Sequence, residues 1–249
     1  MKTNKLQLIE LDKSFEGLTS SYRHLREQFL KNNYNAESNW CIGVSAGHGG
    51  IDPITKEYVT NGKQFLHDDL ILHDGGNFYE GVFNRQIADK LCLRLKQQEM
   101  VYEKFYHPYI DTPLREKSAA VNKHHANVKK TILFELHSNA TPGHNARGFC
   151  VFTGPGQTDS DKLADVLWEY VSEFANEFGF KMRRDSKDDN DVDYEAKFHM
   201  CIKTACPTIL PECLFFDNEL DVILLNNPAF QDKYVEALLK TAIWGEKNL

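Results

Sequence analysis

Short apolar runs alternate with longer amphipathic segments along most of this sequence, and this alternation constrains the fold more than any other feature. Residues 131–137 and 207–215 are apolar runs of strand length, whereas residues 79–98 carry apolar side chains at every fourth position. Strands that alternate with helices form mostly parallel sheets whose two faces are covered by helices. We therefore expect a single-domain α/β fold with a twisted, mostly parallel sheet and helices on both faces.

The remaining segments complete the predicted organisation. Apolar positions recur at helical spacing near the amino terminus, so we interpret residues 1–39 as a helical extension that precedes a domain over residues 40–249. The dipeptide Asn61-Gly62 lies between two β-prone pieces, which predicts a hairpin. The charged stretch 183–197 is interpreted as a solvated loop. Further strands are predicted near residues 40–46, 100–106 and 146–154, and further helices near 114–129, 159–179 and 228–244.

Charge and hydropathy exclude two classes of protein. The net charge of −7 and the pI of about 5.8 argue against a general nucleic-acid binder, which normally presents a basic face. No apolar run approaches the roughly 18 residues that cross a bilayer, so we expect no membrane-spanning segment.

Two histidines occupy the same kind of position in the predicted sheet. His48 lies in the stretch SAGHGG directly after one predicted strand, and His137 ends another. Ligands of open α/β sheets bind at the carboxyl ends of the strands, and neutral imidazole is a common zinc ligand. The two histidines therefore predict a metal site at that edge of the sheet.

Two glutamates complete the candidate chemistry. Glu80 begins the helix predicted over residues 79–98, where the helix dipole favours a carboxylate, and it is the candidate third metal ligand. Glu212 lies inside an apolar predicted strand. If it is buried, its pKa is raised towards neutrality and it suits a general base or acid; the alternative is a carboxylate on an exposed strand end.

Five segments together resemble the zinc-dependent N-acetylmuramoyl-L-alanine amidases of the type-3 family. The resemblance implies one zinc ion per chain, held by His48, Glu80 and His137, with Glu212 as the catalytic residue. It runs from about Trp40 to Trp244. In chain order the segments are SAGHGGIDP, EGVFNRQIADKL, LREKSAAVN, ELHSNA and PTILPECLFFDN.

The activity implied by this resemblance is hydrolysis of the amide bond between N-acetylmuramic acid and L-alanine in peptidoglycan. Zinc would activate the water and Glu212 would transfer its proton, in a protein expected to be monomeric and to bind muropeptides rather than nucleic acid or membranes. Asn139, His144 and Arg147 follow His137 closely enough to contact substrate, although an ordinary loop is the favoured interpretation of His144 and Arg147.

The sequence departs from the family pattern around the motifs. The stretch between Asp52 and Glu80 is longer than the family's, so residues 53–79 are predicted to form a wall of the substrate groove. Lys117 stands where the family usually has arginine, and Pro211 replaces an apolar residue beside the catalytic glutamate.

Two other functions stay open at this point. A different zinc amidohydrolase or a carboxypeptidase of the cell wall would use the same ligands but cut within a peptide. A peptidoglycan-binding module without activity is the other alternative, although the presence of all four chemical residues argues against it. The absence of a recognisable signal peptide predicts a lysin similar to a phage endolysin, which accumulates in the cytoplasm and reaches the wall by another route.

Overall fold

The computed structural model describes residues 39–185 and 191–249. The extension predicted over residues 1–39 lies outside these ranges, apart from Asn39. Among the described residues, no helix combines the length and the apolar character that crossing a membrane requires.

Eight strands and six helices make up the described part of the chain. In chain order they are β1 (Cys41–Ala46), β2 (Gln64–Leu66), β3 (Asn77–Tyr79), α1 (Glu80–Gln97), β4 (Tyr102–Lys104), α2 (Leu114–Asn127), β5 (Thr131–Asn139), β6 (Cys150–Thr153), α3 (Asp159–Phe178), β7 (Tyr194–Glu195), α4 (His199–Lys203), β8 (Thr208–Phe215), α5 (Glu219–Leu225) and α6 (Pro228–Asn248).

The central sheet has six strands in the order β4–β1–β5–β8–β6–β7. Strands β4, β1, β5 and β8 are parallel to one another, whereas β6 runs antiparallel to β8 and β7 is parallel to β6. The predicted mostly parallel sheet is confirmed. The direction of β6 has one consequence for function: its carboxyl end lies at the edge of the sheet opposite to the carboxyl ends of β1, β5 and β8.

Helices cover both faces of the sheet, as predicted. Helix α6 packs against both α1 and α3, and the three helices enclose the larger core on one face of the sheet. Helices α2 and α4 cover the other face over a smaller cluster that contains Val121, Leu133 and Met200. Since successive strand residues point to opposite faces, Leu133 reaches the small cluster while Ile132 and Phe134 enter the large one.

The hairpin predicted at Asn61-Gly62 is wrong. Gly62 does adopt a positive φ of 75°, but the two segments beside it do not pair with each other. Tyr58 instead bridges to Ile51, and β2 pairs in antiparallel fashion with β3. The turn residue fixes only the local backbone, whereas the pairing brings Phe65 opposite the buried Phe78 from further along the chain.

The solvated loop predicted over residues 183–197 is wrong in its second half. Asp193 is completely buried, and Tyr194–Glu195 forms the edge strand β7 against Phe152 and Thr153 of β6. Residues 186–190 lie outside the described ranges. The charge of this stretch suggested that it is exposed. Asp193 is nevertheless buried, and its carboxylate accepts a hydrogen bond from the hydroxyl of Thr153.

Candidate active site

Three of the predicted site residues converge at the carboxyl edge of the parallel strands, and we call them the His–Glu cluster (His48, Glu80 and His137). His48 follows β1 by two residues, Glu80 is the first residue of α1, and His137 lies in β5. One ligand atom from each lies within 4.8 Å of the others. Strand β5 continues two residues beyond His137 to Asn139, past an irregularity in its pairing with β8, so His137 does not end its strand as predicted.

Glycines allow these elements to approach one another closely. A Cβ atom at Gly47 would collide with the His137 ring, and one at Gly81 would collide with the carbonyl oxygen of Gly49. His48 itself adopts a positive φ of 62°, which is uncommon for a residue with a side chain. Larger side chains at these glycines would separate the two imidazoles from α1, so the close approach depends on glycine.

Glu80 lies at the centre of the cluster and is almost fully buried. Its Oε1 is 2.9 Å from Nδ1 of His137 and accepts a hydrogen bond of 3.3 Å from the backbone N–H of Ser138. Its Oε2 lies 3.3 Å from Nε2 of His48 and 3.5 Å from Nζ of Lys63. Burial favours the protonated carboxyl, but the two imidazoles outweigh burial and hold the pKa of Glu80 well below its usual value.

These residues fit a zinc ion. In the described part of the chain, Nε2 of His48 and Oε2 of Glu80 are buried without a hydrogen-bond partner, although they lie close to each other. A divalent cation between them would satisfy both atoms. Two imidazoles and one carboxylate form the donor set of a catalytic zinc site, which leaves a further position open for water or substrate.

Glu212 lies beside the His–Glu cluster, directly opposite His137 in the pairing of β5 with β8. Within the described ranges, its Oε2 is buried without a hydrogen-bond partner. The pKa of Glu212 is raised to about 8, because burial and the Glu80 carboxylate outweigh the opposing effects of His137 and Lys63. Glu212 therefore lies inside the strand next to the candidate metal ligands, and not on an exposed strand end.

The sequence match agrees with this geometry. Residues 42–243, which include all four of these side chains, match the protein-family model Amidase_3, described as N-acetylmuramoyl-L-alanine amidase. The chain belongs to this amidase family. It is therefore a hydrolase of the class that degrades peptidoglycan by cutting amide bonds. No curated protein matches the sequence.

Solved amidase structures share the fold at low sequence identity. An N-acetylmuramoyl-L-alanine amidase from Clostridium difficile 630 superposes with a TM-score of 0.65 at 20% identity and covers 85% of this chain and 99% of its own. An amidase from Mycobacterium smegmatis superposes with a TM-score of 0.63 at 15% identity and covers 85% of this chain and 99% of its own. The catalytic domain of the amidase CwlV from Bacillus (Paenibacillus) polymyxa var. colistinus superposes with a TM-score of 0.59 at 19% identity. It covers 82% of this chain and 96% of its own.

Sequence reasoning missed a buried ion pair beneath the amidase site. Nζ of Lys117 lies 2.9 Å from Oε1 of Glu135 and donates a hydrogen bond of 3.1 Å to the carbonyl oxygen of Ala46. The same Glu135 oxygen is 3.5 Å from Nε2 of His137. Burial would raise the pKa of Glu135, but Lys117 and His137 lower it to about 2. The available signal was a charged residue two positions before His137 in an apolar strand, which places both side chains on one face.

Two polar residues of α1 hold the SAGHGG loop in the amidase and were also missed. Asn84 donates a hydrogen bond of 3.2 Å to the carbonyl oxygen of Gly47, and Arg85 donates one of 2.7 Å to that of His48. Asn84 is four residues after Glu80, so the two side chains lie on the same face of the helix. That helical spacing was the signal that could have identified Asn84.

The three predicted substrate contacts lie near the same edge of the sheet. Asn139 is the last residue of β5, and the half-exposed His144 has its Nδ1 2.8 Å from Oδ2 of Asp217. Nε of Arg147 donates to Oδ1 of the buried Asp221 at 2.9 Å, which ties this loop to α5. Contact of these three residues with substrate stays a prediction.

Proposed function

We propose that this chain is a zinc-dependent N-acetylmuramoyl-L-alanine amidase that cuts the bond between the lactyl group of N-acetylmuramic acid and L-alanine. One observation carries the proposal. His48, Glu80 and His137 converge from three separate elements, with a buried nitrogen and a buried oxygen that lack hydrogen-bond partners among the described residues, and Glu212 lies directly beside them. Family membership supports the reaction class.

The His–Glu cluster would hold the zinc ion. When bound, zinc supplies Lewis acidity, which polarises the scissile carbonyl and makes water nucleophilic near neutral pH. Neighbouring side chains would hold the two histidines in place for zinc. Arg85 donates a hydrogen bond to the carbonyl oxygen of His48, and the Glu135 carboxylate lies next to Nε2 of His137. Such outer contacts orient ligands and maintain their basicity.

Glu212 is assigned the proton transfers. Its carboxylate accepts a proton from the attacking water as the new C–O bond forms at the lactyl carbonyl carbon. It then returns the proton to the amide nitrogen of L-alanine as the C–N bond breaks. The products are a glycan that ends in a lactyl carboxylate and a stem peptide with a free amino group. A positioned general base of this kind contributes about 10²–10⁴-fold to the rate.

Mass spectrometry of digested muropeptides tests the proposal. Zinc-loaded protein is expected to release stem peptides that begin with a free L-alanine amine, and zinc-depleted protein is expected to release none until zinc is restored. Release of a terminal amino acid from the stem would instead identify a carboxypeptidase. Binding to sacculi without any soluble product would identify a binding module. The monomeric state and a route to the wall similar to that of a phage endolysin stay predictions from the sequence.

A further inference from the structure

A second group of acidic side chains lies at the opposite edge of the sheet from the His–Glu cluster. We call it the aspartate cluster (Asp161, Asp191 and Asp193). Asp161 is in the first turn of α3, and the other two immediately precede β7. One carboxylate oxygen from each lies within 4.8 Å of the others. The cluster meets at the carboxyl end of β6, which runs antiparallel to β8, so it is remote from the amidase site.

Hydrogen bonds account for only part of this cluster. The hydroxyl oxygen of Thr153 lies 3.0 Å from Oδ1 of Asp161 and 2.5 Å from Oδ2 of Asp193. Because a hydroxyl carries a single proton, Thr153 can donate to only one of these carboxylates at a time. The other oxygen of Asp161 accepts from the backbone N–H of Thr158, and Oδ2 of Asp191 accepts from Gln157 at 2.6 Å.

The carboxylate of Asp193 is only partly satisfied by hydrogen bonds within the described residues. Asp193 is 0% exposed, and its Oδ1 is buried without a hydrogen-bond partner among the described residues. Its other oxygen bonds to Thr153, which lies between Asp193 and Asp161, so the carboxylate is directed into the cluster. A buried, unsatisfied carboxylate oxygen is costly, and here it belongs to a side chain that lies among other carboxylates.

No lysine or arginine in the described ranges forms an ion pair with Asp161 or Asp193. At the amidase site, by contrast, Lys117 pairs with the buried Glu135. The pKa of Asp193 is raised to about 7, because burial and the neighbouring Asp191 and Asp161 carboxylates outweigh the hydrogen bond from Thr153, which lowers it. The interior therefore accommodates this group in one of two ways: Asp193 takes up a proton, or a cation binds among the three carboxylates.

We propose that a calcium ion binds to the carboxylates of Asp161, Asp191 and Asp193 and to the hydroxyl oxygen of Thr153. All four donors are oxygen atoms, which hard cations prefer, and calcium accepts irregular sets of six to eight oxygens, whereas magnesium demands a near-ideal octahedron. The carbonyl oxygen of Gly154, 3.3 Å from the Thr153 hydroxyl, is available to accept its proton when the hydroxyl oxygen faces the ion.

The ion would join three parts of the chain. Thr153 ends β6, Asp161 lies near the start of α3, and Asp191 and Asp193 lead into the two-residue edge strand β7. Calcium therefore fixes the edge of the sheet without taking part in the amidase reaction. This proposal does not rest on the zinc assignment.

Calorimetric titration of the 249-residue chain tests the site directly. The protein is first loaded with one equivalent of zinc and freed of other divalent ions, and it is then titrated separately with calcium chloride and magnesium chloride. We expect one calcium ion to bind per chain, more tightly than magnesium. Thermal unfolding at a hundredfold excess of calcium over its Kd should occur at least about 5 °C higher than without calcium.

Asp193→Asn identifies the residues, because it keeps the size of the side chain but removes one charge. It should weaken calcium binding at least tenfold and abolish the thermal shift, while its unfolding temperature without calcium is not lower than that of the parent. Asp191→Asn, at a half-buried position, provides the same test if Asp193→Asn does not fold. Asp159→Asn is the matched control, because Asp159 lies in the same turn of α3 but pairs with the exposed Lys162.

Three results would overturn the proposal. The first is a parent protein that neither binds calcium nor changes its unfolding temperature up to millimolar calcium, which would mean that protonation alone accommodates Asp193. The second is unchanged calcium binding by Asp193→Asn or Asp191→Asn, which would place the ion elsewhere. The third is binding of magnesium at least as tight as that of calcium, which would contradict the ion that the donor set selects.

Discussion

The His–Glu cluster and the aspartate cluster lie at opposite edges of one sheet and differ in both donors and charge. The first offers two imidazole nitrogens and one carboxylate, whereas the second offers three carboxylates and a hydroxyl. Nitrogen donors favour zinc over calcium, and sets made only of oxygen favour calcium. The comparison teaches that one sheet can carry two sets of donors suited to different ions, which under our two proposals separates a catalytic ion from a structural one.

The two clusters also differ in what lies beneath them. The ion pair of Lys117 with Glu135 supports the His–Glu cluster, and helix α1 contributes Asn84 and Arg85 around it. In the described ranges, no lysine or arginine forms an ion pair with either Asp161 or Asp193. Protein side chains therefore compensate the buried charge beneath the amidase site, whereas we propose that a cation does so at the aspartate cluster.

The largest effect should come from removing a nitrogen donor. His137→Ala should lose its zinc on dialysis and reduce amidase activity to background, because two remaining ligands hold zinc poorly. Its calcium binding should be unchanged, since the aspartate cluster lies at the other edge of the sheet. Zinc content by mass spectrometry of metals checks this, with His125→Ala as a control that keeps its zinc. Full zinc occupancy in His137→Ala would contradict the assignment.

Removing the proton-transfer group should have the next largest effect. Glu212→Gln preserves the shape of the side chain but cannot accept a proton, so turnover of muropeptides should fall about 10²–10⁴-fold. Zinc content should stay at one ion per chain, because Glu212 is assigned no part in binding the metal. A variant with nearly parental turnover would refute the role of Glu212, and a variant without zinc would make Glu212 a ligand.

The support beneath the site can be tested through stability. Lys117→Met leaves Glu135 buried without its partner, which should lower the free energy of unfolding by about 3–5 kcal/mol in urea titrations. The matched control is Lys90→Met, which removes a surface ion pair with the exposed Asp232 and should cost at most about 1 kcal/mol. Equal losses in the two variants would mean that the buried pair contributes no more than a surface one.

The smallest effect is expected at the rim of the amidase site. Lys63 belongs to the long segment 53–79, its side chain is 44% exposed, and its ammonium lies 3.5 Å from Oε2 of Glu80. Lys63→Gln should raise KM for muropeptides by about two- to fivefold, because an exposed charge contributes up to about 1 kcal/mol to the attraction of acidic stem peptides.

Zinc content should not change in Lys63→Gln, and Lys56→Gln, at an exposed position of the same segment, should match the parent in both measurements. Unchanged kinetics in Lys63→Gln would remove this residue from the substrate groove.

The parts of the fold that could be predicted are those recorded in local sequence patterns. Strands β1, β5 and β8 are buried on both faces, so their sequences are nearly continuous apolar runs. His48 and Glu80 could be placed because each lies next to the end of a predictable element. The His–Glu cluster was therefore accessible from the sequence, even though its three members are far apart in the chain.

The parts that were missed depend on contacts between distant segments. Lys117 and Glu135 neutralise each other across the interface of α2 with β5, which neither local pattern reveals. Asp193 is in a strongly charged stretch, yet its contacts with Thr153 and with the start of α3 bury it completely. The Asn61-Gly62 turn was recognised, but its strands pair according to the packing of Phe65 and Phe78.

Anomalous X-ray scattering tests the central claim most directly. Crystals of the 249-residue chain grown with equimolar zinc and calcium are measured on both sides of the zinc absorption edge. We expect one zinc peak per chain, among Nε2 of His48, the Glu80 carboxylate and the His137 ring, and no zinc peak between Asp161, Asp191 and Asp193. A zinc peak at the aspartate cluster, or its absence between the two histidines, would contradict the assignment of a catalytic zinc centre to this amidase.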